Sequence, residues 1–68
     1  MSNNYLTIQE AEKLLTATWG HQATVMSARI GGGGYVTYAI DDAGHRMALD
    51  HNPMGTLVRP PDGESWPE

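Results

Sequence analysis

The chain has 68 residues, with eight aspartates and glutamates against four lysines and arginines, and it has no cysteine. A chain of this size forms one domain with a small core, and the lack of cysteine excludes a disulfide framework and a thiolate zinc site. The formal charge of −4 opposes the phosphate contacts that give DNA-binding proteins their affinity, so we expect a protein partner rather than nucleic acid.

Two further features of the sequence bear on location. The apolar stretches are far shorter than the roughly 20 residues that a membrane-spanning helix needs. The opening MSNNYLT has no basic segment followed by a hydrophobic one, which a secretory signal would show. We therefore predict a cytoplasmic protein that makes no use of a membrane.

The first predicted element is a helix over residues 7–20. Thr7 and Glu10 have the spacing of a capping box, and Gly20 suits the left-handed conformation that ends a helix. The apolar residues between these ends recur at helical spacing, namely Ile8, Ala11, Leu14, Leu15 and Trp19. One side of the helix is therefore predicted to be buried, with Trp19 in the core.

The chain over residues 22–50 predicts an antiparallel sheet of three strands, QATVMSARI, YVTYAI and HRMALD, which all alternate with period two. We expect the turn between the last two strands to consist of residues 41–44, with Gly44 at positive φ. This register pairs Tyr38 with Met47 and places the larger apolar side chains of both strands on one side, predicted to be the core. It places Tyr35 and Arg46 together on the opposite side.

Four glycines, residues 31–34, connect the first two strands. Phosphate-binding glycine loops lead from a strand into a helix, and the nucleotide-binding form ends in Gly-Lys-Ser/Thr. Here the glycines lead into a strand and no lysine follows, so we predict a hairpin connection, with ordering on binding left open.

Residues 51–68 hold all four prolines and predict an irregular tail in which only TLVR suits a strand, a fourth one at the sheet edge. Trp66 is the one large aromatic residue of this tail. A tryptophan among polar residues docks on its own domain or on another protein, and we expect the former.

No pattern of residues indicates catalysis, a metal or a cofactor. The histidines are His21, His45 and His51, and the last two lie near opposite ends of the third strand. Asp41 and Asp42 occupy turn positions that aspartate favours for its own backbone hydrogen bonds. We therefore predict a protein without enzymatic activity.

The sequence indicates one set of candidate binding residues. Exposed aromatic and arginine side chains are enriched in protein interfaces, and an acidic turn adds charge-assisted contacts. The candidates are Arg29, Tyr35, Asp41, Asp42, Arg46 and Trp66.

Two resemblances indicate possible functions. YLTIQEAEKLL resembles the opening helix of excisionase and related winged-helix DNA-binding proteins, which continue with a basic second helix, whereas TATWGHQATVMSARI offers β-branched residues and one arginine. The short acidic chain, with TVMSARIGGGGYVTYAIDDAGHRMALD as its sheet, is similar to small phage-encoded inhibitors of the anti-CRISPR type. That resemblance implies steric blocking of a host defence complex.

We thus expect an α+β domain, one amphipathic helix on an antiparallel sheet of three or four strands. The expected function is a non-enzymatic inhibitor that binds a host protein complex, encoded by a phage or mobile element. The alternatives are an excisionase-like DNA-binding protein and a structural or assembly component that self-associates.

Overall fold

The computed structural model describes residues 4–52 and 57–67. It confirms the α+β class, with one helix packed on an antiparallel sheet, but the sheet has five strands instead of three or four. The elements in chain order are β1 (Leu6–Thr7), α1 (Ile8–Trp19), β2 (Ala23–Arg29), β3 (Tyr35–Asp41), β4 (Arg46–His51) and β5 (Leu57–Arg59). Residues 53–56 and 68 of the predicted tail lie outside the described residues.

Both predicted ends of the helix are present. The Thr7 hydroxyl accepts a hydrogen bond from the Glu10 N–H at 3.1 Å, and the Glu10 carboxylate accepts one from the Thr7 N–H at 3.0 Å. Gly20 has φ 76°, and its N–H donates to the Thr16 carbonyl at 2.9 Å. The capping box and the glycine terminator therefore define α1 as the sequence predicts. No helix in the described ranges is long and apolar enough to cross a membrane.

The strand order in the sheet is β1-β5-β4-β3-β2. β5 pairs with β4 on one side and β1 on the other, so the prediction that this segment forms an edge strand is wrong. The Arg59 guanidinium lies 2.9 Å from the Asp50 carboxylate and joins β5 to β4. The two edges of the sheet are the two-residue β1 and the seven-residue β2.

The predicted register of β3 and β4 is wrong by one residue. Ala39, not Tyr38, pairs with Met47. The reason is that Asp41 belongs to β3, where its N–H donates to the His45 carbonyl at 3.2 Å, so the turn holds only residues 42–44. Gly44 has φ 90° in this shorter turn, as its position predicted.

The shifted register inverts which side of β3 is buried. The core joins small and medium side chains of the helix and sheet, namely Ala11, Leu15, Ala23, Val25, Ala39, Leu49 and Val58. Val36, Tyr38 and Ile40, predicted to lie in the core, point to the other side of the sheet. Trp19 is half-buried against the core. The alanines at the centre leave room for the helix backbone to approach the sheet.

Candidate functional site

The side of the sheet opposite α1 is largely apolar over β2, β3 and the first half of β4, and no described element covers it. We call it the open face, formed by Met26, Ala28, Ile30, Val36, Tyr38, Ile40, Arg46 and Ala48. Met26 is 44% exposed and Ile30 is 50% exposed. The solvent side of an antiparallel sheet is normally polar, and contiguous exposed apolar residues on a monomer mark interaction surfaces.

One charged group on the open face, Arg46, has no ion-pair partner among the described residues. The Arg46 guanidinium carbon lies 4.6 Å from the centre of the Tyr38 ring, a distance typical of a cation–π contact. No carboxylate in residues 4–52 or 57–67 forms an ion pair with Arg46, whereas Arg59 pairs with both Asp50 and Asp62. Arg46 therefore combines a fixed aromatic platform with a positive charge available to a partner.

On the helix side of the sheet, the part that lies past the helix carries polar residues. Ser27 and Thr37 pair across β2 and β3, and their hydroxyl oxygens are 2.8 Å apart. The Thr37 hydroxyl also hydrogen bonds to Nδ1 of His51, whose ring stacks on Tyr35 with centroids 6.2 Å apart. Thr37 is only 1% exposed, so a substrate has no access to the hydroxyl beside the histidine. This geometry orients His51 but provides no accessible nucleophile beside it.

A second histidine is oriented by a carboxylate. Asp41 is buried; its Oδ2 lies 2.9 Å from Nδ1 of His45, and its Oδ1 accepts from the His45 N–H at 2.8 Å. Burial opposes ionisation of Asp41, but the side-chain and backbone hydrogen bonds from His45 outweigh it and hold its pKa below the ordinary 3.8. The His45 ring also packs on the ring of Trp19, with centroids 5.8 Å apart. This contact joins the β3–β4 turn to the end of the helix.

The structure separates the binding residues that the sequence indicated. Arg29 and Tyr35 pair with each other on the helix side of the sheet, in the part that lies past the helix. Arg46 lies on the open face. The predicted surface around Tyr35 and Arg46 is therefore divided between two faces. Tyr35 is 60% exposed. Asp42 is exposed in the turn, whereas the neighbouring Asp41 is buried.

Trp66 docks on its own domain, as expected. Its indole N–H donates to the Asn4 carbonyl at 2.7 Å, and its ring packs against the core. Together with Trp19 and His45 it lines an open groove beside the β3–β4 turn.

The sequence interpretation missed the apolar open face itself. The signal was present, because Val36, Tyr38 and Ile40 alternate strictly, but alternation alone does not say which side of a strand is buried. No group of histidine, aspartate and glutamate suited to a metal ion occurs in the described part of the chain. No protein-family model matches the chain, and no curated protein or solved structure is significantly similar to it.

Proposed function

We propose that the chain is a small, non-catalytic protein-binding module that docks on its partner through the open face. The observation that supports this proposal most directly is a continuous apolar surface on three strands, opposite the side where the helix packs. Burying such a surface against a partner contributes roughly 25 cal/mol per Å² of apolar area.

The partner that fits this surface is apolar with a carboxylate at one side. The carboxylate would meet Arg46, whose stacking on Tyr38 keeps the guanidinium in place before binding. Aromatic and arginine side chains of this kind dominate the binding energy of many protein interfaces. A second copy of this chain fits less well, because two chains that each carry a formal charge of −4 repel each other.

We propose further that the partner is a host defence complex and that binding blocks it sterically. The support is that the short, acidic α+β chain resembles small anti-CRISPR inhibitors in kind, together with the formal charge of −4, which suits basic clefts that hold nucleic acid. The excisionase-like alternative requires a second helix, and Ala23–Arg29 forms a strand at the place where that helix would follow.

The test is co-elution of the protein with purified CRISPR effector complexes in size-exclusion chromatography. Ile40→Asn removes apolar area from the open face, and Thr18→Asn makes the same residue on the exposed side of the helix as a control. We expect co-elution with at least one complex for the wild type and for Thr18→Asn, and its loss for Ile40→Asn. Failure to bind any complex, together with retention on DNA at moderate salt, would favour the DNA-binding alternative.

A further inference from the structure

Side chains of the helix hydrogen bond to the free edge of β2 along only half of its length. We call these hydrogen-bonding side chains the edge guard. β2 is the last strand in the sheet order, so one row of its backbone groups faces away from β3. The Ile30 N–H donates to the Gly34 carbonyl, which shows that the even-numbered N–H groups of this hairpin point inward. Because N–H directions alternate along a strand, the odd-numbered residues of β2 present theirs at the edge.

Side chains of α1 occupy the first part of this edge. The Ala23 N–H donates to the Thr16 hydroxyl at 3.0 Å, and the Val25 N–H donates to the Glu12 carboxylate at 3.0 Å. Both bonds satisfy backbone donors that would otherwise attract another strand. One further turn of α1 follows towards Ser27, and it begins at Ile8, whose apolar side chain offers no hydrogen-bond acceptor.

Ser27 and Arg29 continue the same edge without such a guard. Neither N–H has a hydrogen-bond partner in the described parts of the chain, and no proline or bulge interrupts the strand there. The Ser27 side chain is turned towards Thr37 and leaves the edge open. Natural sheets normally block such edges, so an unblocked stretch beside a blocked one is a distinctive feature.

We propose that the edge at Ser27–Arg29 adds an extended segment of a partner protein as a sixth strand. The N–H and C=O groups of Ser27 and Arg29 would bond its backbone, as in known peptide recognition by strand addition. This inference rests on the proposed function only in that the chain binds a protein, because it concerns the edge of β2 and not the open face.

The side chains of β2 specify which segment fits. On the helix side, Arg29 has no carboxylate partner in the described residues, so an acidic residue opposite it would form a cross-strand pair. On the open-face side, Met26, Ala28 and Ile30 alternate with Ser27 and Arg29, and apolar residues opposite them would extend the apolar surface. The segment therefore alternates apolar residues with one acidic residue.

The experiment uses a capped synthetic peptide, Val-Glu-Val-Thr-Val, which in antiparallel pairing places Glu opposite Arg29 and Thr opposite Ser27. Titration into isotopically labelled protein, followed by NMR, is expected to shift the amide signals of Ser27 and Arg29 and to slow their hydrogen exchange. The peptide with Lys in place of Glu should bind about two- to fivefold more weakly. Unchanged Ser27 and Arg29 amides at millimolar peptide would overturn the inference.

Two variants separate edge pairing from other modes of binding. Ser27→Pro removes an outward N–H that the β2–β3 ladder does not use, so we expect a folded protein that no longer binds the peptide. Ser27→Ala removes only the hydroxyl and should retain binding, while Ile40→Asn leaves the edge intact and should also retain it. Binding that survives in folded Ser27→Pro would contradict edge pairing. Protection of these amides in the protein alone, rising with its concentration, would instead assign the edge to a second copy.

Discussion

At the scale of single residues, Asp41 shows how one carboxylate determines local structure. It accepts hydrogen bonds from the backbone N–H and the ring of His45, and these bonds end β3 one residue later than the sequence predicts. The neighbouring Asp42 lies exposed in the same turn. Two adjacent aspartates therefore differ in function, one fixing the hairpin and one remaining available to solvent or a partner.

This difference predicts a pH dependence of stability. Because the pKa of Asp41 is lower in the folded chain than its ordinary 3.8, the ionised carboxylate stabilises the fold above that pH, and the contribution is lost as the pH falls through the folded value. Asp41→Asn should lower the urea midpoint at pH 7 and weaken its decline between pH 5 and pH 2. Asp42→Asn serves as the control and should keep the wild-type profile; equal profiles for both variants would contradict this role of Asp41.

The glycine loop allows a second prediction for single residues. Gly32 has φ 87°, a conformation that other residues adopt at a cost, whereas Gly31 lies outside that region with open space around it. Gly32→Ala should destabilise the protein by about 1 kcal/mol or more. Gly31→Ala should be neutral or stabilise by about 0.5 kcal/mol, because it restricts the unfolded chain. Urea unfolding of both variants checks this, and a similar loss at the two positions would argue against the described hairpin.

At the scale of elements, the helix both contributes side chains to the core and supplies the edge guard of β2. Glu12 and Thr16 face β2 and accept the outward N–H groups of Val25 and Ala23. The amphipathic pattern of α1 predicts the buried side of the helix, but not this second role of residues beside that side.

The guard can be tested by hydrogen exchange at single amides. Glu12→Ala should accelerate exchange of the Val25 amide and lower stability by about 1 kcal/mol, while the Ala23 amide keeps its rate. Thr16→Val should do the reverse. Glu12→Gln retains an accepting oxygen and should stay close to the wild type. If the Val25 amide exchanges at the same rate in Glu12→Ala, the hydrogen bond to Glu12 does not protect the edge.

The sequence predicts elements better than it predicts their pairing. The capping box of Thr7 and the turn glycine Gly44 act through local backbone geometry, and the structure confirms both predictions. The register depended on Asp41, whose bonds to His45 form only in the folded hairpin. The three-residue β5 is too short for periodicity, and its pairing with β4 and β1 is stabilised by contacts such as Arg59 with Asp50.

The candidate site was predicted less well for a related physical reason. The sequence predicts large apolar side chains in the core because burial is their usual state. In this chain Val36, Tyr38 and Ile40 form the open face, and the smaller Ala39 lies under the helix. An exposed apolar face has the same sequence pattern as a buried one, so alternation alone does not distinguish them.

At the scale of the whole molecule, a small core is combined with the exposed, largely apolar open face. The formal charge of −4 disfavours close approach of two copies. Light scattering at micromolar concentration should therefore give the monomer mass of 7.4 kDa. A mass near twice this value, reduced by Ile40→Asn, would favour the self-associating alternative.

The most direct measurement of the central proposal is the oxidation rate of two methionines by peroxide, followed by mass spectrometry. Met26 is 44% exposed on the open face, whereas Met47 is half-buried on the helix side of the sheet. We predict that Met26 oxidises faster than Met47 in the free protein and becomes protected when the protein co-elutes with a defence complex. Equal rates in the free protein, or an unprotected Met26 in the complex, would contradict docking through the open face.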